Sequence, residues 1–562
     1  MGKTLKNKGQ SFIYGATIMV VSTAIVKVLG AVFRIPLTWL IGEDGMGFYS
    51  TAYDLYLPIY ALAMAGLPIA VSRLTAEFVQ KNRYNDVRKT LSVAKKAFLV
   101  TGITGFLLMM LISYPFILLT KNSGAFPGML MIAPSVLFCC IMSSYRGYYE
   151  GLRNMYPTAV STIIEGLGKL ILGYGFAYGV ILYYGELNQE SASYAAAAAL
   201  LGITLGTAFS ALFLIIRHKK PGDGITAEML AESPLSYSGK SILKSLILIG
   251  IPVVLGSLVT NIASLIDVTM VQSQLSSAVE NSPQVFRELY SEYLEDRTNA
   301  EIPNFLYGVY KGYAFTLYNL VPTITSVIGV SALPVLAMAW TKKDNNEIKK
   351  NIESMVKVTG IVALPCGAGL MALAYPILDL LYDTNSIDIS AKILFILGAT
   401  AVFAGIMSPL NNMLQAIGKQ WVPVRNIAVG ATIKIVVNYI LVGIPEINII
   451  GAPIGTLCCY VYIALANMIC ILKYSKVKPK VFAVLLKPAV AAILCAVAAY
   501  FANLLLVNVI SEKIAVVIAI LVAVIVYLAF LIILRAFTED DVLSFPKGEK
   551  LLLLFKKAKI LP

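Results

Sequence analysis

The stretch V-K-V-L-G-A-V-F-R, Val26 to Arg34, lies inside an apolar run that begins near Phe12 and reaches Leu40. Lys27 and Arg34 are seven residues apart, so a helix sets both on one face, with Gly30 and Ala31 on the same side. Two cations on one face of a membrane helix need a reason, since each costs about 2.5–3.5 kcal/mol at the bilayer centre. Arg34, at the outer end, can reach a headgroup layer or face a cavity. Lys27 lies deeper between apolar neighbours and is expected to face a water-filled cavity that receives an anion.

The rest of the chain agrees with a membrane setting. Of 562 residues, 58% are hydrophobic, 14% are charged, and the mean hydropathy is +0.78. Soluble domains carry roughly 25% charged residues. In lipid every backbone polar group must be paired within the protein, and long apolar runs satisfy this as helices. Fourteen such runs are expected, near 12–34, 47–72, 95–119, 127–150, 158–184, 192–216, 245–271, 304–340, 355–381, 390–416, 424–444, 450–472, 482–507 and 514–536. The run 304–340 exceeds one span and is expected to break at Pro322 or Pro334. No removable signal peptide is expected, because no small-residue cleavage site follows the short basic stretch before Phe12.

Charge tests this count. With the N-terminus inside, the inner tails and loops hold 35 of the 45 Lys and Arg and the outer loops hold 6. The N- and C-termini are therefore expected in the cytoplasm. The net charge of +14 is a topology signal rather than a nucleic-acid footprint, and the basic loops are expected to touch anionic membrane lipids. One histidine, His218, excludes histidine-paired metal or acid–base chemistry. The seven cysteines lie in apolar segments without a C-x-x-C and read as packing residues. No cofactor or metal is expected.

The chain repeats itself. Leu67-Pro68 recurs as Leu333-Pro334, Tyr114-Pro115 as Tyr375-Pro376, and the pattern from Pro157 through Lys169 to Tyr174 recurs from Pro423 through Lys434 to Tyr439. The basic loop Asp86 to Lys89 recurs as Glu347 to Lys350. The offsets of 261 to 266 residues predict a duplicated six-helix unit. The expected organisation is an N-lobe (1–216), a cytoplasmic linker (217–244), a C-lobe (245–473), two further helices (474–536) and an interfacial tail (537–562). The substrate path is expected between the two pseudo-symmetric lobes. Ser282-Pro283 predicts a short capped helix in the outer loop 272–303.

Charged residues inside the spans are the site candidates. Lys311 shares a helix face with Tyr307, Phe315 and Tyr318. Tyr53, Tyr56 and Tyr60 form a stripe with Asp54 beside it, read either as an interfacial belt or as a sugar-stacking wall. Glu165 and Lys169 are spaced for an intrahelical pair. Lys434 has Asn438 one turn on. Arg146, Glu150 and Arg153 form an interface network or a gate. Asp267 could bind a cation, pair with Lys311 or reach water. Glu43-Asp44, between Gly42 and Gly45, is expected to be a turn rather than a catalytic pair. No G-x-S-x-G, Walker A loop or metal-spaced set accompanies it.

Three stretches carry a resemblance: K-V-L-G-A-V-F-R at 27–34, G-L-P-I-A-V-S-R-L at 66–74 and Y-R-G-Y-Y-E-G-L-R-N-M-Y-P-T-A at 145–159. They resemble the polysaccharide-transport branch of the multidrug/oligosaccharidyl-lipid/polysaccharide exporter superfamily, in the group of the stage V sporulation B proteins and MurJ-type lipid II flippases. The resemblance implies two six-helix lobes around a central cavity and transport by alternating access. The implied cargo is an undecaprenyl-pyrophosphate-linked sugar, carried outward across a bacterial plasma membrane; separately from the resemblance, a monomer is expected. It sets Lys27 where the family has a cavity arginine and Arg34 one residue beyond the second. The third family arginine aligns with Tyr60, and Lys311 supplies the helix 8 cation. Asp267 matches the helix 7 acid of sodium-binding members. Their helix 11 acid has no counterpart here, so sodium coupling is not implied. The alternatives are a drug/cation antiporter of the same fold, which would favour acids in the cavity, and a membrane glycosyltransferase using Glu43 or Asp44.

Overall fold

The computed structural model describes residues 12–64, 66–220, 222–295, 297–382, 384–534 and 536. The tail 537–562, expected to lie in the interface, falls outside them. Every regular element among the described residues is helical. In chain order the first are α1 (Phe12–Met64), α2 (Leu67–Gln80), α3 (Tyr84–Thr120), α4 (Phe126–Gly151), α5 (Tyr156–Tyr184) and α6 (Gln189–Lys219). Next come α7 (Ala227–Ala231), α8 (Gly239–Asn281), α9 (Pro283–Leu289), α10 (Ile302–Gly308), α11 (Phe315–Tyr318) and α12 (Leu320–Lys342). The last are α13 (Asn345–Ala372), α14 (Ala374–Leu381), α15 (Ile387–Ala416), α16 (Trp421–Val442), α17 (Gly451–Ser475), α18 (Val481–Leu506) and α19 (Glu512–Ile533). Ten of the described helices are long and apolar enough to cross a membrane, in the regions 84–219 and 345–533. The four other expected runs fall on helix within 12–80, 239–281 and 302–342.

The chain forms two compact units, residues 1–276 with 300–308, and residues 277–299 with 309–562. The same pairing recurs inside each. In the first, α3 packs on α4, α4 on α6 and α5 on α6. In the second, α13 packs on α15, α15 on α17 and α16 on α17. This is the duplication in structural form. Residues 245–276, which the sequence sets at the head of the second repeat, pack within the first unit together with the linker residues before them. In the second unit α18 packs on both α13 and α19, and Tyr527 donates to the Ile361 carbonyl at 2.8 Å.

Local breaks follow backbone chemistry. Gly42 bends α1 into two limbs with φ 64° and ψ −169°, a conformation that a side chain would strain. The turn expected at Glu43-Asp44 is therefore confined to Gly42, and both acids lie in the helix that follows. The 304–340 run breaks at Asn319, leaving Pro322 in the first turn of α12. A proline there gives up only an N–H that the first turn leaves unpaired in any case. Pro68 and Pro376 likewise sit in the first turns of α2 and α14. Ser282 precedes α9 as expected but makes no side-chain cap. Along α5 and α6, a Cβ on Gly168 would strike Gly206, and one on Gly202 would strike Gly173. Small residues let these two backbones touch, which substitutes for the missing hydrophobic drive in lipid.

The linker is docked, not loose. Asp223 accepts from Arg88 at 3.2 and 3.3 Å, from Tyr148 Oη at 2.8 Å and from the Ile225 N–H at 3.0 Å. Asp86, fully buried, accepts from the Tyr237 N–H at 2.6 Å and from Arg83. The Asn85 N–H donates to Ser233, and Lys89 donates to Ser236.

Candidate functional site

The second limb of α1 carries tyrosines three and four residues apart, which stack along one helix face. Tyr49 and Tyr53 are parallel with centroids 5.9 Å apart, Tyr53–Tyr56 are at 5.8 Å and Tyr56–Tyr60 at 5.3 Å. Phe33, from the first limb, extends the row at 6.4 Å from Tyr49. Tyr56 Oη meets Cys139 Sγ of α4 at 3.6 Å. Lys169 of α5 sets its ammonium over Phe33 at 5.0 Å and Tyr53 at 5.4 Å. Arg34 donates to Ser50 at 3.4 Å. Lys169 starts a π-helical turn, Lys169–Gly173. Such turns break helical register and are frequent at functional sites.

Glu165 does not pair with Lys169 one turn on. Its ion partner is Arg146 of α4, at 3.0 Å. Arg146 is buried and also donates to Ser161 at 2.8 Å and Ser210 at 3.4 Å, which satisfies a guanidinium in an apolar bundle. Glu150 lies half-buried at the end of α4, and the exposed Arg153 follows it. Asp54 is buried and accepts from Tyr307 Oη of α10 at 2.8 Å.

Near this row a polar knot joins three parts of the first unit. Asn122 Nδ2 donates to Asn304 Oδ1 at 2.8 Å, to Thr51 at 3.2 Å and to Gln272 at 3.4 Å. Gln272 donates to Thr51 at 2.6 Å, and Asn304 donates to the Asp44 carbonyl at 3.0 Å. A Cβ on Gly308 would collide with the Glu43 carbonyl, so α10 meets α1 backbone to backbone.

In the second unit Lys311 is buried within the π turn Val309–Ala314. Its ammonium lies 4.6 Å from the Phe315 centroid and 5.7 Å from that of Tyr310. Phe315 continues to Tyr318 at 5.1 Å. Lys434 stands on α16, and the buried Asn438 one turn on packs against Gly455. Lys27 lies on α1 and Asp267 on α8, with side chains outside the described set.

The structure thus brings Arg34, Tyr53, Asp54, Tyr56, Tyr60, Arg146, Glu165 and Lys169 into one unit. Phe33, Tyr49, Ser161, Ser210 and the amide knot were not among the sequence candidates. The signal for the knot was present, since Asn122, Gln272 and Asn304 are amides at the ends of apolar runs, where an unpaired one would be costly. Among the described residues no group of three His, Cys, Asp or Glu could hold a metal.

An all-helical, internally duplicated chain with ten described helices long and apolar enough to cross a membrane is a multi-pass membrane protein. Within that class the chain belongs to the polysaccharide biosynthesis protein family, whose model matches residues 12–340. The model for the lipid II flippase MurJ matches residues 309–539. Stage V sporulation protein B of Bacillus subtilis (strain 168) is 23% identical over 478 residues, 84% of this chain and 86% of that one. Lipid II flippase MurJ of the same organism is 22% identical over 476 residues, 82% of each chain. Among solved structures, an inward closed lipid II flippase MurJ superposes with a TM-score of 0.63 at 16% identity, covering 92% of this chain and 98% of that one. An inward-facing multidrug resistance MATE transporter superposes at 0.57 and 16%, covering 81% and 99%.

Proposed function

We propose that the protein moves an undecaprenyl-pyrophosphate-linked sugar, a lipid II-like precursor or a related polysaccharide unit, from the inner to the outer leaflet of a bacterial plasma membrane. The observation that carries this reading is the aromatic row Phe33–Tyr49–Tyr53–Tyr56–Tyr60 with the Lys169 ammonium set over it and Arg34 beside it. A diphosphate needs cations where low dielectric makes an ion pair strong. A sugar needs flat faces, and tyrosines supply both a face and a hydroxyl. Lys311, in its own aromatic setting, supplies a cation in the second repeat.

Transport follows by alternating access of the two repeats, 1–216 and 245–473. Residues 239–276 and 300–308 belong to the linker and second repeat by sequence, yet pack in the first unit through the knot around Asn122. An outward-open state requires that knot to part. The site handles cargo and calls for no chemical step, so the protein acts as a transporter rather than an enzyme. A cationic-drug antiporter would need accessible acids. Asp54 is engaged by Tyr307 and Glu165 by Arg146, which favours the anion.

The test is reconstitution in liposomes with a fluorescent undecaprenyl-pyrophosphate sugar, scoring its appearance in the opposite leaflet. Wild type transports it, and Lys27→Ala and Lys311→Ala insert and fold but do not. Normal transport by both folded variants refutes the anion-cavity reading. Movement of a cationic dye instead assigns the antiporter.

A further inference from the structure

A cleft of about 340 Å³ opens between α2 and the first turns of α8. Its volume is at the lower end of small-molecule sites. Leu74, Glu77 and Phe78 line it from α2 and Lys81 from its C-cap, Ser241, Ser245 and Leu248 line it from α8, and Tyr237 closes one side. The spacings are helical on both walls, so each wall is a single face. The cleft is graded along its length. By their order along the two helices, Leu74, Leu248 and Ile249 fall towards one end, and Glu77, Lys81, Tyr237 and the two serines fall towards the other.

The surroundings extend the gradient both ways. Around the apolar end, Ile69, Ile247 and Ile251 are 50%, 44% and 49% exposed, as suits side chains facing acyl chains. Beside the polar end, Lys240 and Lys244 are exposed on α8. The mouth is preformed: the Arg83 guanidinium lies 3.9 Å over the Tyr237 ring, and Asp86 accepts the Tyr237 N–H.

We propose that this cleft binds one anionic phospholipid from the leaflet on the linker side. Its phosphate would meet Lys81, Ser241 and Ser245, its headgroup would face Lys240 and Lys244, and its first acyl segments would run along Leu74 and Leu248. Lys81 is bonded to Glu77 at 2.6 Å. Both are solvent-exposed, so that pair is weak and a phosphate can share the ammonium. Three lysines against one glutamate favour a net negative headgroup over a zwitterion. A soluble anion would leave the apolar half of the cleft unused, whereas an amphiphile meets both halves. The proposal is independent of what the protein transports.

Native mass spectrometry of the purified full-length protein tests it, with phosphatidylglycerol and phosphatidylethanolamine of identical acyl chains as probes. Wild type is expected to take up one phosphatidylglycerol in preference to phosphatidylethanolamine. A basic side chain at an anionic lipid surface contributes about fivefold in affinity, so Lys81→Gln should weaken that event about fivefold. Ser245→Trp fills the cleft and should abolish the event. Other basic surfaces can also hold lipid, so the difference between wild type and variants reports this site. Lys81→Gln keeps the helix surface and serves if Ser245→Trp fails to fold. Equal phosphatidylglycerol uptake by wild type and Lys81→Gln overturns the proposal. So does a preference for phosphatidylethanolamine, which would assign the cleft to Glu77 and an ammonium headgroup.

Discussion

Glu165→Ala should destabilise the first unit by leaving Arg146 charged and buried without its counter-ion. Removing one member of a fully buried pair costs about 3–5 kcal/mol. The Glu165 side chain retains 23% exposure, so water can enter the vacated space. Ser161 and Ser210 still accept from the guanidinium. Both effects lower the cost to about 2–3 kcal/mol. Arg146→Met strands a carboxylate that is better hydrated, and should cost about 1–2 kcal/mol. The double variant Arg146→Met/Glu165→Leu leaves no charge behind and should lose less than the sum of the singles, by about 1–2 kcal/mol. Reversible unfolding in bicelles, driven by steric trapping of two biotin tags, measures all three. The reasoning fails if Glu165→Ala lies within about 0.5 kcal/mol of wild type, or if the two single losses simply add.

Gly206→Leu should disrupt α5–α6 packing by more than the about 1–3 kcal/mol of ordinary overpacking, because the obstruction at Gly206 is backbone; monodispersity on size exclusion reports it. Asn122→Ala removes three hydrogen bonds and leaves Asn304 and Gln272 less satisfied, at about 1–3 kcal/mol. Bicelle unfolding measures that loss, and in transport assays this variant should favour the open side. Burial pushes the Asp223 carboxyl up, but hydrogen bonds from Arg88, Ile225 and Tyr148 outweigh it and hold the group below the usual range. Its contribution to linker docking is therefore complete above the unfolded value of about 4 and lost as pH falls through the lower folded value. Hydrogen exchange of residues 222–238 should be unchanged in protection between pH 5 and 8 and should rise in Asp223→Asn. Burial raises the Tyr290 phenol to about 12, against the Asn448 bond at 2.6 Å, so the outer-loop contact should show no titration below pH 10.

Most of the fold was legible because lipid leaves few options. Apolar runs became helices, and the proline at 322 marked where one restarts, whereas the restarts at Pro68 and Pro376 fall inside runs read as single spans. Sequence offsets reported the duplication, since both copies keep their packing order. The site was read less well. Spacing suggested Glu165 with Lys169, but an i,i+4 pair is worth only about 0.5 kcal/mol and lost to a guanidinium on a facing helix. Asp54 found Tyr307, 253 residues away, and no local pattern encodes that pairing. The tyrosine stripe was visible, but Phe33 at its head depends on the bend at Gly42, whose angle the sequence leaves open.

The docked linker also tells a protein engineer where a reporter can be inserted. Residues 233–237 are committed to Asn85, Arg83, Asp86 and Lys89, so an insertion there would tear the connection from α3. Thr226 to Glu232 form a single solvent-facing turn with no buried side chain, anchored from α3 at Leu230. A fluorescent domain placed between Ala227 and Glu228 should ride on the first unit without loosening it, since tolerance follows the bonding of the interrupted backbone rather than its position in the chain.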